Sequence, residues 1–472
     1  MEKDNRNAKA LKSGIWYLMA NMVVKGMALI TTPIFTRLLT KEQFGEYSNF
    51  LSWSFIAIII ITMKMEASLI SAKFDYEKRL YQYNWSALGL TACSTLLWVA
   101  LLSVFPDFFS GITGVKIAYL YYLLFYCFFY AVIQFYQITE RFFYRYKKSV
   151  AISILVAVSS AIVPIFMVLN MDDKLTARVL GGIIPTIIIG VCVLLYFYKK
   201  GRHFDLSVWP YALKICIPFV PHLLSLQVLH SVDRVMITRI CGPADNALYS
   251  VGNTSGHMVA LLIVSLNSAL GPWLADMLHE KRYNEIKKFS RYYILFFCTC
   301  AIPMMLLAPE VLLVMGGREY LEAVTVMVPV SLGCVCQFLY TLYVNIEQFE
   351  KKTVGMAIAS IAAAVLNYIL NFCFIPQYGY IAAAYTTLVG FIFLLILHMI
   401  LVKRIGMQMV YDNKFVLTVV VIMIILGLLI NLTYSNSLLR YTLLITLLLA
   451  ATLWVQKNKL IVQKVLYILK KK

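Results

Sequence analysis

The chain has 472 residues, of which 61% are hydrophobic and only 14% charged. Soluble domains carry about 25% charged residues, so this surplus of apolar side chains points to a bilayer and excludes an ordinary water-soluble fold. The net charge of +19 does not indicate nucleic-acid binding, because the basic residues are spread over many short loops rather than gathered in a patch.

Apolar runs of about 20 residues, the length that spans a hydrocarbon core as a helix, recur along the chain. The N-terminus is basic (Lys3, Arg6, Lys9, Lys12) and leads directly into the first run, which is expected to be an uncleaved span. In all, about 14 spans are expected, at 14–36, 46–69, 84–105, 117–139, 149–169, 177–198, 213–234, 246–270, 291–315, 322–345, 353–375, 379–402, 414–433 and 438–456. The runs do not alternate as β-barrel strands do, so the predicted class is all-α and polytopic. Pro33, Pro164, Pro185, Pro218 and Pro221 fall inside spans and predict kinks. The tail Leu460–Lys472 mixes apolar residues with lysines and reads as an interfacial helix on anionic lipid.

Loop charge sets the orientation. The N-terminus, every second loop and the C-terminal tail together hold about 31 of the 42 Lys and Arg residues, against about 9 on the opposite side. That asymmetry places both termini in the cytoplasm. An internal repeat also appears. Thr36-Arg37 ends the first span, and Tyr47-Ser48 follows ten residues after Arg37; Thr238-Arg239 ends the seventh, and Tyr249-Ser250 follows ten residues after Arg239. The expected organisation is therefore an N-lobe of helices 1–6 (1–200), a C-lobe of helices 7–12 (201–403), and two extra helices with a basic tail (404–472).

The ten cysteines lie almost all inside apolar runs. In Cys298-x-Cys300 and Cys334-x-Cys336 a two-residue spacing turns the side chains to different helix faces, which is poor metal geometry. No metal site and no cofactor is expected.

At the repeat positions the chain resembles the polysaccharide transporter family, the Wzx-type flippases. This family belongs to the larger superfamily that also holds multidrug exporters and the lipid II flippase. The stretch Pro33…Arg37-Leu-Leu…Gly45-Glu46-Tyr47 looks like that family's first-span signature, and Asp233-Arg234…Tyr249 like its seventh-span signature. Asn367…Asn371…Pro376…Gly379…Ala382-Ala383…Thr386 is similar to its eleventh-to-twelfth span junction. Ala247 and Ala382 stand where the family often has glycine. The resemblance implies two six-helix lobes around a central cavity, a rocking mechanism and an undecaprenyl-pyrophosphate-linked oligosaccharide repeat unit as cargo. Coupling to Na+ or H+ and partnership with a glycan polymerase and export machinery fit the same picture.

A charge kept inside a span costs about 2.5–3.5 kcal/mol on insertion scales and needs a reason. Lys25 lies near the middle of the first span and shares a helical face with Asn21, Ala28 and Thr32. A polar stripe with one cation suits a wet cavity that receives phosphate; an interhelical bridge to an acid is the structural alternative. His222 and Asp233 share a face of the seventh span, with Arg234 beside them, and Asn253 and His257 share a face of the eighth. His257 could bind phosphate, relay protons or simply pack. Arg37 and Arg239 are the repeat-related pair at the outer mouth, each a planar fork for phosphate or an interfacial anchor. Lys64 sits by Glu66 near the inner end of the second span, where snorkelling is the rival reading. Asp276 and Glu347 are expected to be solvated at cytoplasmic helix ends. The aromatic run Tyr119–Tyr136 is expected to pack or face lipid rather than stack on sugar.

An exporter of organic cations would need acids, not cations, on these faces. A membrane glycosyltransferase or polymerase would need a larger outer loop than the short one at Asp172-Asp173. No Walker A, His-Glu-x-x-His or Gly-x-Ser-x-Gly motif is present, so a transporter rather than an enzyme is expected.

Overall fold

A computed structural model describes residues 23–457 except 25, 144 and 202. All regular structure among them is helical. Twelve helices of the described residues are long and apolar enough to cross a membrane, and each overlaps one of the expected spans from the second to the thirteenth. The first expected span is described only in part, as helical residues 26–38 (α1) without residue 25, and the last coincides with the apolar helical stretch Ser437–Ala450. The expected tail helix Leu460–Lys472 lies outside the described residues.

The chain divides into two compact units, Met1–Ala247 and Leu248–Lys472. The first contains α1, α2 (Lys41–Thr62), α3 (Leu69–Asp75), α4 (Leu80–Val104), α5 (Pro106–Thr113), α6 (Ile117–Phe142), α7 (Tyr146–Asn170), α8 (Lys174–Gly201), α9 (Val208–Cys216) and α10 (Val220–Ile240); the division falls within α11 (Pro243–Gly256). α2 begins in a capping box: Gln43 N–H donates to Thr40 Oγ1 at 3.3 Å, and Thr40 N–H donates to Gln43 Oε1 at 3.1 Å. Its hydroxyls are satisfied within the helix. Ser48, Ser52, Ser54 and Thr62 each donate to the carbonyl four residues back, which is how an apolar solvent tolerates them. α7 and α8 cross so closely that a Cβ on Gly181 would lie 2.4 Å from Pro164 Cα.

Two apolar clusters fill the first unit. One, around Tyr47, Phe50, Tyr119, Leu123 and Val179, lies toward the start of α2. The other, around Met65, Leu69, Tyr83, Phe135 and Phe197, lies toward its end. The aromatic α6 divides its rings as expected between packing and the outside: Tyr119 and Phe135 are buried, while Phe125 is half exposed.

The second unit contains α12 (Ala260–His279), α13 (Tyr283–Leu306), α14 (Ala308–Met315), α15 (Val324–Phe349), α16 (Thr353–Tyr378), α17 (Tyr380–Arg404), α18 (Asn413–Leu432) and α19 (Ser437–Lys457). α15 is its axis. It is buried along nearly its whole length and packs on α12, α13, α17 and α18. Asn367, Asn371, Thr386 and Thr387 form a hydrogen-bonded cluster between α16 and α17, so the polar residues of the junction signature satisfy one another.

One sequence expectation is overturned here. Glu347 is not a solvated loop charge: it is 1% exposed, and its Oε1 lies 2.9 Å from Nδ1 of buried His398, whose ring stacks on Tyr340. The cause is that α15 runs two residues beyond Glu347 to Phe349, which carries the acid into the packing with α17. Asp276 is exposed, as expected.

Asp412 caps α18 by accepting from Phe415 N–H at 3.3 Å and pairs with Arg291 and, at 4.0 Å, with Lys287. The hydrogen bond from Arg291, then that from Phe415 and the charge of Lys287, outweigh the effect of burial and hold its carboxyl below the ordinary aspartate value.

Two outcomes are expected. His398→Leu strands the buried carboxylate of Glu347 and should cost about 3–5 kcal/mol, whereas Glu347→Leu/His398→Leu should recover much of that loss; thermal unfolding of the purified protein checks both. Because the folded-state pKa of Asp412 is depressed, its stabilisation is present above about pH 4 and lost as pH falls through the folded value. The melting difference between wild type and Asp412→Asn should therefore hold from neutral pH down to about pH 5 and shrink only on further acidification through about pH 4.

Candidate functional site

The site is built at the end of the first unit where α1 gives way to α2. Gly45 is held against the start of α11: a Cβ there would stand 1.7 Å from the Pro243 carbonyl oxygen, and Asn246 Nδ2 donates to the Gly45 carbonyl at 2.8 Å. This explains the glycine of the first-span signature, since any side chain would drive the two backbones apart. The contact fixes the next turn of α2, and with it the ring of Tyr47.

Between that ring and Phe35 of α1 lies the guanidinium of Arg178, from the first turns of α8. Its Cζ is 3.7 Å from the Phe35 ring centroid and 4.2 Å from that of Tyr47. The residue is only 8% exposed, and its Nε and Nη1 have no hydrogen-bond partner. Among the described residues no carboxylate lies within ion-pair distance of it. Burying an unpaired ion costs several kcal/mol, and two desolvated cation–π contacts return about 2 kcal/mol or more each. The rings therefore hold the charge in place while leaving its in-plane N–H groups to seek an acceptor.

The contrast with the second unit is direct. Arg440 is equally buried at 4% exposure, but forms two hydrogen bonds to Glu310, at 2.7 and 2.9 Å, and a third to the Leu306 carbonyl at 2.9 Å. Tyr441 donates to the same carboxylate at 2.8 Å.

Sequence reasoning did not single out Arg178, because four residues into α8 it counts as one more loop charge. The signal was available in its register. Leu175, Arg178 and Pro185 recur at helical spacing on the buried side of α8.

The expected site residues are distributed as follows. Asn21 and Lys25 lie outside the described residues. Arg37 and Arg239 are both exposed; Arg37 donates to the Pro33 carbonyl at 2.5 Å and Arg239 to the Gly111 carbonyl. Lys64 is at the opposite end of α2, on a left-handed residue (φ 51°), with Nζ 3.2 Å from Glu66 Oε1 and 5.8 Å from the Tyr130 ring centroid. It is an ion pair at a helix end and is not gathered with the arginines.

On α10, Asp233 is buried at 3% exposure, Arg234 is half-buried, and His222 is half-buried with Nδ1 unpartnered. Asn253 is buried in α11. His257 opens a short 3-10 turn, with Nδ1 3.1 Å from the Asn253 carbonyl. Among the described residues no three His, Cys, Asp or Glu side chains group as metal ligands would.

Comparison with known proteins identifies the family. Residues 10–278, more than half of the chain, match the family model described as polysaccharide biosynthesis protein. The chain belongs to the polysaccharide biosynthesis protein family. A second family model, MatE, matches residues 218–373. This member of the polysaccharide biosynthesis family is 19% identical over 386 residues to "Lsg locus putative protein 1" of Haemophilus influenzae, covering 76% of this chain and 89% of that one.

Its fold is that of the lipid II flippase MurJ in an inward closed conformation: TM-score 0.68, 15% identity, with 94% of this chain and 99% of that one covered. It is also that of an inward-facing multidrug resistance MATE family transporter of the MOP superfamily: TM-score 0.59, 13% identity, with 84% and 98% covered. The polysaccharide biosynthesis protein is thus a multi-pass membrane protein with the fold of these transporters.

Gly45→Ala should destabilise the protein by about 1–3 kcal/mol or more, the usual cost of overpacking, since the carbonyl it meets is backbone and cannot rotate away. The fraction recovered as a monodisperse species in detergent measures it; recovery equal to wild type would show that the helix ends separate freely.

Proposed function

We propose that this protein is a flippase that carries an undecaprenyl-pyrophosphate-linked oligosaccharide repeat unit from the cytoplasmic to the outer leaflet by alternating access, driven by Na+ or H+. The reading takes the orientation from the loop charges, with both termini cytoplasmic, and treats a glycan polymerase and export machinery as downstream partners. Family membership supplies the glycan. The observation that carries an anionic cargo is Arg178, a buried cation that no carboxylate of the described residues neutralises. In this reading Lys25, on the polar face that the sequence predicts for the first span, does the same work.

An exporter of organic cations, to which the MatE match also points, would be served by uncompensated acids. Of the buried carboxylates among the described residues, Glu66, Glu140 and Glu347 instead lie 3.2, 3.7 and 2.9 Å from Lys64, Arg145 and His398.

Deletion of the gene should cause a polyprenyl-linked glycan to accumulate with its headgroup inside, identified by extraction and mass spectrometry. Wild type should restore outward display. Lys25→Ala, expressed at wild-type level, should fail to do so. Absence of any accumulated lipid-linked glycan would refute the flippase reading, and full complementation by Lys25→Ala would remove that residue from it.

A further inference from the structure

Among the buried charges of the described residues, Arg178 stands apart in what surrounds it. Phe35 and Tyr47 cover the faces of the guanidinium, so a ligand can approach only in its plane, where the N–H donors lie. Nε and Nη1 are shut off from solvent and unpartnered, although a buried donor normally finds an acceptor. A cavity of about 160 Å³ lies beside it, lined by its helix neighbours Leu175 and Val179 and not by Arg178 itself. Leu175 and Val179 form one wall, Phe50 and Tyr119 another, and Glu46 and Lys116 bring one charge of each sign. Glu46 makes no ion pair with Arg178.

We propose that Arg178 is an anion-binding site for a phosphate group that adjoins hydrocarbon, positioned on the outer side of the first unit. Three features select that chemistry. The donor is a weakly hydrated planar cation, suited to phosphate oxygens. Much of the wall beside it is apolar and aromatic, from Phe50, Tyr119, Leu175 and Val179, which favours a charged group carried by a molecule with an apolar portion. The site also lies at the start of α8, where the helix dipole adds positive potential. The first turn of that helix is ordered by Asp173, which accepts from Thr176 N–H at 3.0 Å and Oγ1 at 2.6 Å. That carboxylate is thereby engaged at the helix end and is not spent on Arg178.

The phosphate can come from the cargo or from a bilayer lipid; assigning it to the cargo rests on the flippase reading, whereas the site itself does not. In the cargo case Arg178 receives the headgroup on the release side, which makes it a residue of the outward half of the cycle.

The test uses full-length protein in phosphatidylcholine nanodiscs, with and without inorganic pyrophosphate, and in nanodiscs containing phosphatidylglycerol. Thermal unfolding and calorimetric titration are the readouts. Pyrophosphate should raise the melting temperature of wild type and leave Arg178→Met unmoved. Arg178→Lys, which keeps the charge and loses the planar fork, should bind roughly tenfold more weakly. Stabilisation by phosphatidylglycerol but not pyrophosphate, lost in the variants, supports the same site and assigns the phosphate to bilayer lipid.

Without ligand, Arg178→Met should melt no lower than wild type, because replacing an unpaired buried charge by an apolar chain removes a cost. Two results overturn the proposal: a wild type that responds to neither phosphate source, or variants that respond as wild type does. Should Arg178→Met fail to fold, the Arg178→Lys titration decides alone. A deletion strain that accumulates no lipid-linked glycan would remove the flippase reading while leaving measured pyrophosphate binding intact.

Discussion

A charge in an apolar solvent must be neutralised, solvated by dipoles or used, and this constraint orders what is seen in the chain. Most buried ionisable groups obey the first option. Glu347 has His398, Arg440 has Glu310, and Glu66 has Lys64. The hydroxyls obey the second, donating to carbonyls of their own helix along α2. Arg178 obeys neither. Two aromatic rings make its burial tolerable without cancelling its charge, and a membrane protein that keeps a cation in that condition has a use for it.

The geometry that holds Arg178 depends in turn on close backbone contact. Gly45 lets α2 touch the carbonyl of Pro243, Tyr47 is set by the turn that follows, and Gly181 lets α8 lie on Pro164 of α7. Small residues at these points replace the hydrophobic effect, which supplies no drive between helices already dissolved in lipid. The site is therefore a product of packing, with residues far apart in sequence fixed by positions where nothing larger than hydrogen fits.

That dependence explains what was legible in the sequence. Span lengths are set by bilayer thickness and composition, so the helices of the described residues fall where apolar runs place them. The Gly45-Glu46-Tyr47 signature is local and was readable, although its reason, the approach of Pro243, was not. Glu347 and Arg178 were misplaced or overlooked for one common cause: both stand within a few residues of a helix end, where sequence alone does not tell whether the helix continues into packed surroundings. Lys64 was ambiguous between snorkelling and pairing because a left-handed turn, unexpected at a lysine, brings Glu66 back to it.

The reach of the ion pairs differs between the two units. Lys64–Glu66 and Arg145–Glu140 join neighbours along the chain, while Arg291–Asp412, His398–Glu347 and Arg440–Glu310 tie together helices that are distant in sequence. The second unit is thus cross-braced by electrostatic struts, and sliding its helices would break them. In the first unit the same pairs would travel with the helices that carry them, and its helices are tied instead by ring stacking, van der Waals contact and neutral hydrogen bonds such as those from Asn49 to the Thr113 carbonyl and from Asn84 to Thr139. Among the described residues, then, the unit whose ion pairs leave its helices without electrostatic struts is the one that carries Arg178.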